Sequence, residues 1–373
     1  MWDNIAGQLD VKEKLKAVLN SGKISHAYLF HGPEGTGKDA AAVEFAKALN
    51  CPHYGEKGAC DNCTNCRKAA SLRTELLYFV CALPAAGTSD DTKSDPLDKL
   101  SSSDFNSYLE ELDKKSENPY HKISLEGANF IRINSIRNLI DKIYLSASPE
   151  VYKVFLISEA DKMRAEAANS LLKILEEPPR KSVLILTTSK PNSVAPTITG
   201  RCQKIYFDRL TDNDIKQKLI KSTNYNENEI TIASRISLGS YTRAERILNE
   251  GINDSRETVI NFLIACLRDD YTGLSSICKV IAGKNNREKA KQFLYLMNIW
   301  FRDLLHLKSG NNYAVINHDL IARLEKLNQN YPAADVFKII IELEETEKLI
   351  SGNVQLNLIL LNLGLKIKKY ITP

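Results

Sequence analysis

Ala27-Tyr-Leu-Phe-His-Gly-Pro-Glu-Gly-Thr-Gly-Lys-Asp39 reads as an apolar strand, Ala27 to Phe30, that runs into a glycine-rich turn. A helix is expected from Ala40 to Leu49. The turn follows the G-x-x-x-x-G-K spacing through Gly32, Pro33, Gly35, Thr36, Gly37 and Lys38. Gly35 and Gly37 tolerate positive φ, so successive backbone N–H groups can point inward and cradle phosphate oxygens. The helix that follows adds the positive end of its dipole at the same place, and Lys38 supplies a point charge for the terminal phosphates. Strand, turn and helix agree on a phosphate-binding loop.

Asp39 breaks the pattern, because a Ser or Thr hydroxyl is what ligates Mg²⁺ at that position. A carboxylate there sets a negative charge beside a polyphosphate, and unit like charges ~4 Å apart repel by roughly 4 kcal/mol near a protein surface. A metal bound directly to Asp39 would screen the repulsion. ATP or ADP binding is therefore compatible with the loop, and efficient hydrolysis is not expected. A second departure lies at the strand Val154 to Ile157, which runs into Ser158-Glu159-Ala160-Asp161. A strand-end acid would hold the Mg²⁺ shell at position 158, and the next acid, here Glu159, would polarise a water. Asp39 and Ser158 thus depart together from one piece of magnesium chemistry.

At 373 residues the chain exceeds one ordinary core, and two or three domains are expected. A 43% hydrophobic, 26% charged composition excludes a disordered chain, and no apolar run reaches membrane-spanning length. Met1 to Gln8 lacks the regions of a signal peptide, so a cytoplasmic location is expected. The net charge of +4 permits nucleic-acid contact without demanding it. Of eight cysteines, four cluster as Cys51, Cys60, Cys63 and Cys66, spaced C-x8-C-x2-C-x2-C. Four thiolates with no open position describe a structural Zn²⁺ site, with an iron–sulfur cluster as the alternative metal. Cys81, Cys202, Cys266 and Cys278 read as core residues.

Helices are expected over Val11 to Leu19, Ile133 to Ile143 and Arg164 to Glu177, the last stopped by Pro178-Pro179. Strands are expected over Glu75 to Val80, Val183 to Leu186 and Lys204 to Phe207. Thr187 and Thr188, at a strand end, are positioned to sense a γ-phosphate. Residues Ala82 to Asn118 turn polar and read as an inserted, partly flexible surface excursion with a short helix near Asp104 to Leu112. Interleaved strands and helices describe a parallel α/β sheet with the loop at its carboxyl edge. Past Leu210 only helical patterns remain, among them the stripe Phe293, Met297, Trp300, Leu304, Leu307, and Val354 to Ile367, apolar nearly all round and so expected to be buried against neighbouring helices or subunits, with packing inside the bundle favoured over a subunit seam.

The phosphate loop, the four cysteines, Asn4-Ile-Ala-Gly-Gln8, His26-Ala-Tyr-Leu-Phe30, Asn134-Ser-Ile-Arg137, Ala167-Ala-Asn-Ser-Leu-Leu-Lys-Ile-Leu-Glu-Glu-Pro-Pro179 and Arg201-Cys202 together resemble the clamp-loader branch of the AAA+ proteins. The resemblance implies an AAA+ P-loop domain over 1–209 with an inserted zinc module at 51–66, a helical lid over 210–251 and an all-α collar over 252–373. It implies a hetero-oligomeric ring with gamma/tau and delta types of subunit, a sliding clamp and primed DNA as partners, and no membrane. Arg201 matches a finger that reaches a neighbour's ATP, although Gly200 stands where the family has a serine. Arg243 matches the lid arginine that touches nucleotide. Asp39 and Ser158 match the departures of the branch that has given up hydrolysis. The competing expectation is an ATPase motor, in which Asp39 ligates Mg²⁺ and Glu159 polarises water, and a third is a nucleotide-gated adaptor in DNA processing outside replication.

Overall fold

The computed structural model describes residues 1–84, 95–145, 151–283, 286–350, 352 and 354–372. Among the described residues six strands build one sheet: β1 (Ala27–His31), β2 (Arg73–Thr74), β3 (Leu77–Val80), β4 (Lys153–Ile157), β5 (Ser182–Thr188) and β6 (Gln203–Tyr206). Their spatial order is β2-β3-β4-β5-β1-β6, and every pairing but the β2–β3 hairpin is parallel. β1 lies between β5 and β6, with Ala27 opposite Leu184 and Tyr28 opposite Gln203. Its carboxyl end therefore opens beside those of β5 and β4.

Period-two alternation explains why these runs are apolar throughout. Tyr28, Phe30, Leu77, Phe79, Val154, Leu156, Val183 and Ile185 point to one face of the sheet. Ala27, Leu29, Val80, Phe155, Ile157, Leu184 and Leu186 point to the other. Helices cover both faces, as an all-parallel region requires. α1 (Leu9–Ser21), α2 (Lys38–Asn50), α3 (Thr64–Ala70) and α4 (Ser102–Glu117) supply side chains to the first core. α5 (Ile133–Leu145), α6 (Ala165–Glu176) and the short α7 (Pro196–Thr199) supply the second.

Two expectations change here. Glu75 to Val80 is not one strand: Arg73–Thr74 and Leu77–Val80 form an antiparallel hairpin, Arg73 facing Tyr78. The polar excursion is also less superficial than its composition suggests. Residues 85–94 lie outside the described residues, but α4 is ordered over sixteen residues and buries Tyr108, Leu112 and Lys115. Apart from Lys115 its polar residues stay half-buried or exposed, and three buried positions at near-helical spacing suffice to dock it.

By packing, the chain divides into two units: Met1–Lys221 with Leu238–Arg243, and Ser222–Ser237 with Ala244–Pro373. α8 (Asp212–Ser222) all but completes the first, and α9 (Glu227–Ile236) belongs to the second. α10 (Tyr241–Asn249) starts in the first and continues in the second. The rest of the second unit is helical: α11 (Ile252–Leu267), α12 (Tyr271–Ala282), α13 (Arg287–Lys308), α14 (Ile321–Asn330), α15 (Val336–Ile350) and α16 (Leu356–Ile371). Phe293, Met297, Trp300 and Leu304 of α13 are buried as their spacing predicts. Gly364 lets α16 approach α11, since a Cβ there would stand 3.0 Å from Cys266 Sγ. α16 is not buried all round: Leu356, Ile359, Leu360, Leu363 and Ile367 are covered, whereas Leu358 and Leu365 are about half exposed. The helix packs on α11, α12 and α15 along one side only.

Candidate functional site: the phosphate loop and its surroundings

β1 ends at His31, and the loop that follows turns through Gly35 (φ 75°) and Gly37 (φ 93°) into α2. Both glycines sit where a side chain would be strained and obstructed. At Gly37 a Cβ would stand 2.7 Å from the Tyr120 hydroxyl. Thr36 is fully buried, and its hydroxyl donates to the Pro33 carbonyl at 2.9 Å. Lys38 folds back on its own loop, donating to the carbonyl oxygens of Gly32 (2.9 Å) and Pro33 (2.5 Å). Burial brings its pKa down to about 8, against the pull of Asp39 and Glu34.

The two departures in sequence turn out to be bonded to each other. Ser158 Oγ donates to Asp39 Oδ2 at 2.8 Å, and Thr187 Oγ1 donates to Asp39 Oδ1 at 2.7 Å. The Lys115 ammonium, from α4, completes the set at 2.8 Å from Asp39 Oδ2. Burial on its own would raise the Asp39 pKa, but Lys115 and the two hydroxyls outweigh it and hold the carboxyl below its usual value. Thr188 faces elsewhere, donating to Asp161 Oδ1 at 2.6 Å. Glu159, in the left-handed region (φ 55°), pairs with Lys162 at 2.7 Å and Lys122 at 3.1 Å. Lys122 also reaches Glu34 of the loop at 2.6 Å. About 90 Å³ of free space remains among these groups, against roughly 300–1,000 Å³ in pockets that bury a small ligand.

Lys115, Tyr120 and Lys122 are thus residues of the candidate site that the sequence did not single out. No spacing rule relates them to the loop, and their polar surroundings disguise the burial of Lys115. Arg243 lies in the first turn of α10, its backbone N–H 3.4 Å from Ser240 Oγ, and its neighbour Thr242 lines the cavity. Arg201 lies away from this cavity. It is 39% exposed, bound to Glu176 Oε1 at 2.6 Å and to the Thr197 carbonyl at 2.9 Å.

The cysteine cluster forms a compact knuckle. The four sulfurs of Cys51, Cys60, Cys63 and Cys66 lie within 4.8 Å of one another, and Cys60 and Cys66 are 4.0 Å apart. Tetrahedral thiolates about 2.3 Å from zinc require separations of that order. Backbone N–H groups already point at the sulfurs: Cys60 N at Cys51 Sγ (3.3 Å), Cys63 N at Cys60 Sγ (3.3 Å) and Cys66 N at Cys63 Sγ (3.4 Å). The N–H groups of Cys63 and Asn62 bring Cys60 down to about 6, toward the thiolate a metal needs, whereas burial pushes the Cys51 and Cys66 thiols up. The residues fit a structural zinc ion, which would cross-link the end of α2 to the start of α3.

The family profile described as DNA polymerase III, delta subunit, matches residues 7–211, and that of its C terminal matches residues 255–368. The chain belongs to the DNA polymerase III delta-subunit family. Subunit delta' of Bacillus subtilis (strain 168) is 26% identical over 347 residues, covering 91% of each chain. Subunit tau of the same organism is 30% identical over 259 residues, 68% of this chain. This chain spans 38% of tau's length but nearly the whole of delta', which is consistent with a clamp-loader subunit of the delta-prime type. The structure of the chain is a mostly parallel sheet followed by an all-helical C-terminal region, the latter spanning the match to the C-terminal profile. Among the described residues no helix is long and apolar enough to cross a membrane.

Proposed function

We propose that this chain is a non-motor, delta-prime-type subunit of a cytoplasmic clamp loader. It would join gamma/tau and delta types of subunit in a ring, lend Arg201 to an adjacent ATP site and help place a sliding clamp on primed DNA. The observation that carries the non-motor part is the occupied carboxylate of Asp39, which already serves Lys115, Ser158 and Thr187. Glu159, the other residue of the hydrolytic pair, is tied to two lysines. Support for the assembly comes from the match to delta' over 91% of each chain.

Arg201 would exchange its present partner, Glu176, for a neighbour's terminal phosphate. That ion pair is exposed and therefore worth little, about 0–1 kcal/mol, so it does not hold the arginine back. Zinc at the four cysteines would be structural. A domain boundary near residue 209 and a collar from residue 252 complete the reading, with nucleotide contact by Arg243 confined to a vestigial site.

Steady-state ATP turnover by the isolated chain, with and without primed DNA, tests it. Turnover near background is expected; robust turnover abolished by Lys38→Ala would reject the non-motor reading. In the assembled complex, Arg201→Ala is expected to cut ATPase by about 10³-fold or more at the site it serves while subunits still co-elute. Unchanged turnover would remove the finger. A motor role draws on the 30% identity to tau, and it would require Asp39 to release Lys115.

A further inference from the structure

Lys115 is built into the phosphate site more thoroughly than a surface lysine has reason to be. Its side chain is 3% exposed. The ammonium lies 2.8 Å from Asp39 Oδ2, donates to the carbonyl oxygens of His121 (2.8 Å) and Pro119 (3.4 Å), and stands 5.5 Å from the centre of the Phe79 ring. Every proton of the ammonium has an acceptor, and the aromatic face adds a cation–π contact.

What it binds is a carboxylate that two hydroxyls also share. Ordinarily the hydroxyl at the end of a phosphate loop and the carboxylate at the strand end share a divalent ion. Here the same two groups have changed places. Asp39 supplies the carboxylate and Ser158 the hydroxyl, 2.8 Å apart, with the Thr187 hydroxyl beside them. An all-oxygen set of this kind suits a hard cation such as Mg²⁺ or Mn²⁺. The exchange alone therefore does not destroy the chemistry of the locus.

Two further anchors hold the same segment in place. The Tyr120 hydroxyl accepts the Ala6 N–H at 2.7 Å, and its ring packs on Tyr241 at 4.4 Å between centroids. Lys122 bridges Glu34 of the loop and Glu159.

We propose that segment 115–122 locks the phosphate cradle from within, the Lys115 ammonium acting as a built-in cation that keeps a divalent metal and its nucleotide out of the Asp39–Ser158–Thr187 site. The inference rests on reading the loop as an inherited phosphate cradle, and it says which residue closes it. Withdrawal of the single charge at Lys115 uncovers a divalent-cation site that the chain still encodes.

Binding of Mn²⁺ and of Mg-ATP to the full chain, wild type against Lys115→Met, tests the lock. The variant is expected to bind both at least about tenfold more tightly than wild type. Equal affinities would overturn the proposal. If the variant does not fold, amine labelling of the wild type decides. Lys115 is expected to react at least about tenfold more slowly than exposed Lys23, with or without millimolar Mg-ATP. Labelling as fast as Lys23, or a rate that responds to nucleotide, would overturn the lock. Tight nucleotide binding by wild type without turnover would sink the lock and leave the non-motor function standing, whereas vigorous turnover would sink both.

Discussion

Asp39 shows how one residue can be wrong for one chemistry and right for another. As a replacement for a hydroxyl it repels polyphosphate; as the partner of a buried lysine it is fully satisfied. Its carboxyl is held below the ordinary value near 3.8, so its folded-state pKa lies under its unfolded one. A group shifted in that direction contributes stability that is present above the unfolded pKa and lost as pH falls through the folded one. Asp39→Asn leaves the Lys115 charge buried without its counter-ion, and a loss of about 3–5 kcal/mol at pH 7 is expected in urea denaturation. The gap between variant and wild type should begin to narrow as pH falls through the unfolded-state value near 3.8 and go on closing as pH passes the lower folded-state value. A gap that stays constant as pH is taken down through both values would count against an ionised pair. Coupling should also show in the double variant Asp39→Asn/Lys115→Met, which is expected to be more stable than Asp39→Asn alone.

At the scale of elements, local pattern made much of the site legible. The run Ala27 to Lys38 announces strand, phosphate turn and helix because φ at Gly35 and Gly37 and the apolar pitch of the strand are local constraints. The cysteines are legible for the same reason: Cys60, Cys63 and Cys66 sit close enough in sequence for one knuckle to gather them. What was not legible is long-range pairing. Asp39 and Lys115 are 76 positions apart, and nothing in Lys115 itself distinguishes it from its exposed neighbour Lys114. The Arg73–Thr74 hairpin was hidden too, because a two-residue edge strand carries no period. The cysteine knuckle supports a prediction of its own. Purified chain is expected to carry one zinc ion, and Cys63→Ser to lose it. Hydrogen exchange should then quicken over residues 51–72, with Tm lower by at least about 2 °C, while β1, β4 and β5 stay protected. An unaltered exchange pattern after zinc loss would mean that the knuckle holds its shape without metal.

Over the whole molecule, the two units bury their apolar surface differently. In the first, the sheet is covered on both faces. In the second, the last two helices keep apolar side chains in solvent: Phe337 (65% exposed) and Ile341 (55%) on α15, Leu358 (55%) and Leu365 (51%) on α16. Single exposed leucines are ordinary. These, however, are spaced four and seven residues apart, which places each pair on one face of its helix. Packing on α11, α12 and α15 accounts for one side of the apolar stretch Val354 to Ile367, while the other side leaves Leu358 and Leu365 in solvent. Under the ring assembly proposed above, that surface is where a neighbouring subunit is expected to pack. Ile341→Asp and Leu358→Asp should change the stability of the isolated chain by no more than about 0.5 kcal/mol, because neither side chain belongs to its core. Each should nevertheless weaken co-elution with the other subunits by about tenfold or more, since a desolvated carboxylate opposes an apolar contact. Assembly as tight as that of the wild type in both variants would place the seam on another face of the helical unit, whereas loss of assembly in a variant with unchanged melting would fix it here.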